Sequence, residues 1–399
     1  MRAKASRSGY DVVIVGGAVT GSAAAYFLAS NPDFKGSVLV VERDWSYARS
    51  ATALSLASIR HQFSDPINIR ISQFGTSFIR QAGVHLSVDG SAPDLQFQEN
   101  GYLFLARSGH EEQLLRQRHI TQKACGADVA LLEGPALALR FPWIRPDGIG
   151  IASLGQSGEG WFDNMGLLNA LRVKACSLGV EYVEAEVTAV SCAANAVHSV
   201  ALDNAQSIGC GQLVNAAGTR AAAVARLAGL DLPVEARRRC VFVISCPRPL
   251  PGKIPLTIDV SGVYFRPEGR YYLTGANPED DPAVDVDDFT VLHQQFEELI
   301  WPSLYARVPA FEAIKLVNAW AGHYDWCVLD HNVIVGPHHQ LRNFHFANGF
   351  SGHGLQQAPA IGRGLSELII YGQYRSLDLS PLCYERVVEN RPLPEAAVI

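Results

Sequence analysis

The sequence predicts an α/β protein in which buried strands run into glycine-rich turns and helices, with a mainly antiparallel sheet inserted between them. Three observations lead to this fold class. An apolar run at 11–15 ends in glycines and precedes an Ala-rich helical stretch, 22–28. Two later strands also enter glycine-rich segments that precede helices, at 212–218 and 344–354. Between them, 232–316 alternates apolar and polar residues, as strands with one buried face do.

Length and composition limit the classes of protein that the chain can belong to. The 399 residues are enough for about two domains. A hydrophobic fraction of 48% is typical of a globular protein, and a net charge of −6 argues against nucleic acid as a partner. No apolar run reaches the roughly 18 residues of a membrane span, and the first ten residues are too short and polar for a secretory signal. We therefore expect a cytoplasmic protein, with peripheral contact to the inner face of a membrane left open.

The cysteines and lysines limit the kinds of chemical site that we expect in the chain. Eight cysteines are scattered singly with no C-x-x-C pair, so we expect neither a metal site nor a disulfide framework. Only six of the basic residues are lysines, which leaves few candidates for chemistry that needs a titratable amine.

The first turn predicts a dinucleotide site. It reads Gly16, Gly17, Ala18, Val19, Thr20, Gly21, a G-x-A-x-x-G variant of the G-x-G-x-x-G pattern. Its N–H groups and the following helix start suit a pyrophosphate. A second apolar run, 38–41, ends at Glu42, whose carboxylate can accept hydrogen bonds from ribose hydroxyls. An ordinary tight turn is the alternative, and the strand, helix and acidic residue around it argue against that.

The segment after Glu42 predicts a loop that faces a ligand, followed by further helices and strands. After Glu42, small hydroxyl residues at Ser50, Thr52 and Ser55 allow a ligand to approach the backbone closely. The patterns then predict helices at 66–82, 111–125 and 131–141, and a strand end that leads into a helix over 159–176. They predict strands at 101–107, 180–190, 197–202, 240–245, 256–258, 262–266 and 270–274. The segment Pro267-Glu268-Gly269 is expected to be the hairpin turn, and 287–300 a helix.

Four motifs resemble the D-amino-acid-oxidase-like family of FAD enzymes, which includes sarcosine and glycine oxidases. They are G-G-A-V-T-G (16–21), V-V-E-R (40–43), N-A-A-G (215–218) and G-F-S-G-H-G-L-Q-Q-A-P-A-I-G-R (349–363). Two further stretches, I-D-V-S-G-V-Y-F-R-P-E-G (258–269) and W-A-G-H-Y-D (320–325), resemble flavoproteins associated with assembly of respiratory complex I.

The resemblance implies an architecture of two domains. A Rossmann-type, glutathione-reductase-like FAD-binding domain would be discontinuous, formed by 8–85, 150–230 and 318–388. An inserted sheet-plus-helix substrate domain, 86–149 and 231–317, would cover the flavin.

The resemblance also implies the residues of the cofactor site. The turn from Gly16 to Gly21 would hold the pyrophosphate, Glu42 the ribose and Val187 the adenine. The remaining expected contacts are Arg43, Ser50, Thr52, Ser55, Ala217, Gly218, Gly322, His323, Gly349, Phe350, Ser351, Gly352, His353, Gly354, Leu355 and Gln356. His323 stands where some members attach flavin through a cysteine, so non-covalent FAD is expected.

The expected catalytic residues depart from the sarcosine oxidase pattern. The family's substrate-binding lysine is replaced by Gln356, so the substrate carboxylate is assigned to Arg60 in I-R-H-Q, since a guanidinium fork suits a carboxylate. His61, Tyr264, Tyr272 and His353 are the other candidates. Arg266 is a weaker candidate for the carboxylate.

The resemblance implies oxidation of the C–N bond of an amino acid, and the expected substrate is a secondary amine with a carboxylate, such as an N-substituted glycine or an iminodiacid. Hydride would pass to flavin N5, and water would hydrolyse the imine to a carbonyl compound and an amine. No lysine lies at 272–275, so an electron carrier, a quinone or the respiratory chain is a stronger candidate acceptor than O₂. The alternatives are a D-amino acid dehydrogenase and a respiratory-complex assembly factor with little turnover. An NAD-dependent dehydrogenase is disfavoured, because family members with the late glycine motif use flavin.

Overall fold

A computed structural model describes residues 4–397. Its strands in chain order are β1 (Gly9–Val15), β2 (Val38–Glu42), β3 (Ser58–Ile59), β4 (Tyr102–Ala106), β5 (Val129–Glu133), β6 (Ile151–Gly155), β7 (Gly160–Trp161), β8 (Glu181–Glu184), β9 (Val187–Ala193), β10 (Ala196–Leu202), β11 (Ser207–Asn215), β12 (Val234–Ser245), β13 (Leu256–Ile258), β14 (Tyr264–Glu268), β15 (Tyr271–Gly275), β16 (Lys315–Cys327), β17 (Ile334–Pro337) and β18 (Phe344–Asn348).

The helices connect the strands along the chain. They are α1 (Val19–Ser30), α2 (Ala51–Leu54), α3 (Pro66–Arg80), α4 (Ala82–His85), α5 (His110–Ala124), α6 (Gly134–Arg140), α7 (Asn164–Ser177), α8 (Ala221–Leu227), α9 (His293–Gln295), α10 (Trp301–Arg307), α11 (Gly354–Tyr371) and α12 (Glu385–Val388). A π-helical turn, Phe296–Ile300, joins α9 to α10, and short 3₁₀ turns lie at Gly218–Arg220, Pro309–Ala313 and Ser380–Leu382.

The first sheet has the strand order β17-β18-β11-β1-β2-β8, with β10 and β9 added beside β11. Its central pairs are parallel, from β18 through β11, β1 and β2 to β8. Every residue of β2 is buried, as expected of a strand covered on both faces. The helices α1, α3 and α11 pack on one face, where their apolar residues form a single core with β1 and β2.

The second sheet has the order β16-β12-β15-β14-β13-β4-β6-β5. Its pairs are antiparallel except for β13 and β4. The apolar core on its outer face includes Phe242, Phe265 and Phe311. The mixed architecture confirms the predicted fold class. Strand β16 pairs with β12 and so belongs to this sheet, although it crosses the predicted boundary at 317–318.

The sequence-based prediction of a helix at 131–141 is wrong in its first part. Residues up to Glu133 belong to β5, which pairs with β6, with Leu131 opposite Ser153. The helix starts only at Gly134, since Pro135 lacks an N–H and suits the first turn of a helix.

The predicted helix at 287–300 is also wrong at its start. The helical stretch begins at His293 and continues to Arg307. Before it, the Asp287 carboxylate accepts hydrogen bonds from Arg220 at 2.6 and 2.7 Å, and Asp288 forms an ion pair with Arg238. These ion pairs tie the segment to the cavity wall described below.

Two smaller corrections concern the strands. The predicted strand at 180–190 is two strands, β8 and β9, separated at residues 185–186. The hairpin turn between β14 and β15 lies at residues 269–270, because Pro267 and Glu268 are still paired with β15. Among residues 4–397, no helix is both long and apolar enough to cross a bilayer.

Candidate active site and cofactor cavity

The turn after β1 is the most tightly built part of the site. Gly16 has a φ of +99°, and a Cβ there would lie 2.4 Å from the carbonyl oxygen of Ala216. Only glycine fits this approach between the first turn and the end of β11. Ala18 lines the cavity immediately before α1, in an extended conformation that needs no glycine.

Glu42 links the end of β2 to this turn. Its Oε2 accepts a hydrogen bond from the Gly17 N–H at 2.8 Å, and its Oε1 accepts one from the Asp44 N–H at 2.9 Å. Burial raises the pKa of the Glu42 carboxyl, while the main-chain donors act in the opposite direction. Each carboxylate oxygen has a second lone pair, so the group retains acceptor capacity toward the cavity.

A cavity of about 500 Å³ begins at this turn and extends between the two sheets. Its volume lies within the range of roughly 300–1,000 Å³ of small-molecule sites. Of the residues predicted from the sequence, the cavity is lined by Gly16, Ala18, Val19, Thr20, Glu42, Arg43, Ser50, Thr52, Ser55, Arg60, Val187, Ala217, Gly218, Tyr264, Gly322, His323, Phe350, Gly352, His353, Gly354, Leu355 and Gln356. Gly17, Gly21, Gly349, Ser351, His61 and Tyr272 do not line it.

The hydroxyl residues before β3 shape their own loop. The Ser50 side chain accepts a hydrogen bond from the Ala53 N–H at 3.1 Å, and Ser55 accepts one from the Ala57 N–H at 3.0 Å. Thr52 accepts a long hydrogen bond from the Val19 N–H at 3.4 Å. The first two bonds are internal to the loop, and the third joins the loop to the start of α1.

The late glycine-rich loop is anchored by Asp325, a residue that the sequence reasoning did not single out. Its Oδ2 accepts hydrogen bonds from the N–H groups of Gly349 and Phe350, at 2.8 and 3.2 Å. Burial raises the pKa of Asp325 to about 6. Gly352 has a φ of +93°, and a Cβ there would lie 2.5 Å from the Tyr324 ring. The loop therefore lies directly against β16.

His323 is held by the segment before α9. Its Nε2 lies 2.8 Å from the Asp288 carbonyl oxygen, and its ring stacks on Phe289 at 4.4 Å. Burial lowers the pKa of His323.

Arg60 is the central polar group at the opposite end of the cavity. Its guanidinium lies over the Phe63 ring at 4.5 Å, donates to the Ala397 carbonyl oxygen and lies 3.1 Å from His353 Nε2. A guanidinium only donates, so His353 Nε2 is the acceptor and its proton is on Nδ1. Burial and the Arg60 charge hold the pKa of His353 well below its ordinary value, consistent with a neutral imidazole.

A second arginine, Arg239, also lines this end and was missed from the sequence. Its two terminal nitrogens donate to the Asp281 carboxylate at 2.7 and 2.8 Å, and its guanidinium lies 4.8 Å from the centre of the Tyr324 ring. Arg266 lies outside the cavity, where it contacts Glu268 and the Leu56 carbonyl oxygen. The register of β12 with β16 places Arg239 beside Gly322, information that no local motif carries.

The two candidate tyrosines are separated. Tyr264 lines the cavity, and burial raises its pKa. Tyr272 lies in the outer core of the second sheet, where its hydroxyl accepts a hydrogen bond from the Leu250 N–H at 2.8 Å. Tyr272 pairs with Pro267, three residues from Tyr264, and an odd offset puts the two rings on opposite faces.

His61 points away from the cavity. Its Nε2 lies 2.8 Å from Thr76 Oγ1, and burial lowers its pKa to about 4. The adjacent main chain is held by the fully buried Glu159, which accepts from the His61 N–H at 2.8 Å. Burial raises the pKa of Glu159 to about 7.

The cavity wall fits a long polar ligand such as FAD. Buried polar atoms with no hydrogen-bond partner in the described chain lie on residues along its length: Tyr47 Oη, Arg60 Nε, Arg239 Nε and His323 Nδ1. The turn after β1, the acidic end of β2 and the start of α11 line one continuous space. Together with the parallel sheet, they define a dinucleotide-binding protein whose cavity extends under a second, antiparallel sheet.

Comparison with known proteins gives the family. Residues 11–368 match the DAO family, described as FAD dependent oxidoreductase. The chain therefore belongs to the DAO family of FAD-dependent oxidoreductases, and FAD is its cofactor.

Individual relatives agree with this assignment. The chain is 40% identical to FAD-dependent oxidoreductase domain-containing protein 1 of Xenopus laevis, over 98% of this chain and 85% of the relative. It is 23% identical to sarcosine oxidase subunit beta of Rhizobium meliloti (strain 1021), over 91% and 85%. The solved structure of L-proline dehydrogenase from P. horikoshii has the same fold, with a TM-score of 0.85, 23% identity and coverage of 97% and 100%.

Proposed function

We propose that this flavoprotein oxidises the C–N bond of a carboxylate-bearing secondary amine, such as an N-substituted glycine. One observation carries the proposal. The buried arginines Arg239, Arg266, Arg307 and Arg386 each form an ion pair with an aspartate or glutamate. Arg60 is equally buried, and no acidic side chain within residues 4–397 pairs with it. A buried charge is costly without a partner, and a substrate carboxylate would supply one.

The chain's own residues would bind and orient this substrate. Arg60 offers a planar fork that suits a carboxylate. Neutral His353 and the Tyr264 ring flank the same end of the cavity, which excludes water around the amine. Bound FAD would accept the two electrons lost when the CH–NH unit becomes C=N, and water would hydrolyse the imine. A relative named sarcosine oxidase subunit beta supports this substrate class, since sarcosine is a secondary amine with a carboxylate.

The proposal is tested by anaerobic reduction of the purified yellow protein. Sarcosine, N-ethylglycine and iminodiacetate are compared with sarcosinamide, which keeps the amine and lacks the carboxylate. The three carboxylates should bleach the flavin, and the amide should be far slower. Equally fast flavin reduction by sarcosinamide would show that the site does not recognise the carboxylate. Preferential reduction by primary D-amino acids would favour the D-amino acid dehydrogenase alternative.

The other alternative, an assembly factor of a respiratory complex with little turnover, stays a prediction from the sequence. The same assay separates it from the enzyme proposal, because an assembly factor would retain oxidised flavin with every amine in the panel.

We also propose that oxygen is a poor electron acceptor compared with a dye or quinone. No lysine lies among the described residues that line the cavity, so no ammonium group there favours superoxide formation. Stopped-flow reoxidation of the substrate-reduced protein should be slow in air and fast with an artificial quinone. Air reoxidation as fast as reduction by substrate would contradict this.

The flavin should be bound non-covalently. No cysteine lies at the family's attachment position, which is His323 in this sequence. Acid precipitation should release the yellow colour into the supernatant. Colour that stays with the pellet would point to a bond through His323.

A further inference from the structure

Gln356 occupies the position of the sarcosine oxidase lysine, but its side-chain oxygen is directed to a main chain. It is the third residue of α11 and is buried. Its Oε1 accepts a hydrogen bond from the main-chain N–H of Arg60 at 3.0 Å. The bond spans 296 residues of sequence, so no local pattern predicts it.

Ser72 completes the same arrangement from α3. Its hydroxyl lies 2.5 Å from the Arg60 carbonyl oxygen and 3.0 Å from Gln356 Oε1. Strand β3 ends at Ile59, so the sheet does not pair the main-chain groups of Arg60. The two side chains therefore satisfy polar groups whose burial would otherwise be unfavourable.

The helices that carry these side chains are themselves in close contact. A Cβ on Gly75 in α3 would lie 2.4 Å from the Gln356 main-chain oxygen, so only glycine allows this approach. The oxygen of Gln356 and the hydroxyl of Ser72 are consequently fixed relative to each other and to the backbone of Arg60.

We propose that Gln356 and Ser72 are positioning residues for Arg60, which hold its backbone so that the guanidinium meets a carboxylate in the cavity. The inference rests on the proposed function, because it assumes that Arg60 binds the substrate carboxylate. A two-point contact between guanidinium and carboxylate depends on orientation, and small displacements of such a group are costly. The family's lysine contacts substrate through its own charge, whereas Gln356 acts here through Arg60.

The test measures equilibrium binding of acetate and acetamide to the FAD-loaded protein, from the change in flavin absorbance. Ser72→Ala and Gln356→Met should each weaken acetate binding about tenfold to a hundredfold. Acetamide binding should be unchanged. With sarcosine, the same variants should raise KM more than they lower kcat.

Gln357→Met is the matched control. Gln357 is the next residue of α11 and equally buried, but its amide donates to Asn68 at 3.1 Å rather than contacting Arg60. Its replacement should change stability by a similar amount and leave acetate binding unchanged. In an Arg60→Ala background, Gln356→Met should cause no further loss of acetate binding. The effects of two substitutions that act through the same group are not additive.

The outcomes distinguish the two proposals. Wild-type protein that binds acetate no better than acetamide would refute the carboxylate role of Arg60. Wild-type protein that prefers acetate, with Ser72→Ala binding it equally well, would refute the positioning role. Ser72→Ala removes a single oxygen atom, so it decides the question even where Gln356→Met does not fold.

Discussion

The two ends of the cavity are built in different ways. At the end that we propose binds the nucleotide, the Gly17 N–H donates to the Glu42 carboxylate, and the Gly16 backbone closely approaches the Ala216 carbonyl oxygen. Main-chain groups at the ends of neighbouring strands thus take part in both contacts. At the end that we propose binds the substrate, Arg60 is surrounded by side chains from distant segments, including Ser72, His353 and Gln356. The first arrangement recurs in dinucleotide-binding folds because it depends on the backbone. The second depends on which side chains meet, so the fold alone does not determine its chemistry.

The largest effect should come from removing the guanidinium. Arg60→Ala should cost roughly 2–5 kcal/mol in kcat/KM for sarcosine, because the substrate carboxylate loses its partner in a buried site. The flavin spectrum should stay intact, since the nucleotide end is untouched. Arg266→Ala is the control, because Arg266 is also buried but lies outside the cavity. An equal loss of kcat/KM in that variant would break the distinction.

Glu42→Ala should have its effect at the other end. The ribose loses a charged acceptor, which should weaken FAD binding by roughly 1.5–3 kcal/mol. Ultrafiltration with free FAD measures the dissociation constant, and saturated protein should retain its kcat. Unchanged FAD affinity would mean that Glu42 does not contact the ribose.

Arg60→Lys sharpens the comparison because it keeps the charge and removes the fork. We expect a loss of about tenfold to a hundredfold in kcat/KM, roughly 1.4–2.7 kcal/mol. Activity equal to wild type would show that charge alone suffices at this end.

Glu159→Gln should change how the free energy of unfolding depends on pH. Burial raises the folded-state pKa of Glu159 to about 7, so folding favours the protonated carboxyl. That contribution is present at low pH and is lost as pH rises through about 7. The wild-type free energy of unfolding should fall by roughly 1–3 kcal/mol relative to the variant between about pH 4.5 and 7. Urea unfolding curves that change in parallel with pH would contradict this.

Tyr272→Phe should have the smallest effect. It loses the hydrogen bond with the Leu250 N–H, worth about 1 kcal/mol of stability, and should leave kcat/KM unchanged. Tyr264→Phe is the matched variant in the cavity, and of the two only it should alter kcat/KM for sarcosine. A kinetic defect in Tyr272→Phe would contradict the separation of the two faces.

The parts that the sequence predicted are those that depend on local patterns. The Gly16 turn, Glu42 and the start of α11 follow from strand, glycine and helix order along the chain, and they line one cavity. Asp325 and Arg239 were missed, because their partners are set by the pairing of β12 with β16 and by loops far away in sequence.

Tyr272 shows how a small error in a turn changes a site. A three-residue turn centred on Glu268 would have made Tyr264 and Tyr272 direct partners on one face of the hairpin. The actual turn at residues 269–270 pairs Tyr272 with Pro267 instead, which reverses its face. Pro267 and Gly269 are compatible with both turns, so the local sequence does not determine the register.

The long sequence separation between Arg60 and Gln356 has a consequence for biosynthesis. During synthesis, β1, α1 and Arg60 leave the ribosome well before α11. Helix α11 begins at Gly354 in the cavity wall and carries Gln356, which accepts the hydrogen bond from the Arg60 N–H. The cofactor cavity therefore closes only after α11 has emerged. A ligand that binds only the folded form stabilises that form by mass action. FAD supply would therefore govern the yield of folded protein once α11 has been made, rather than the yield of an early folding unit.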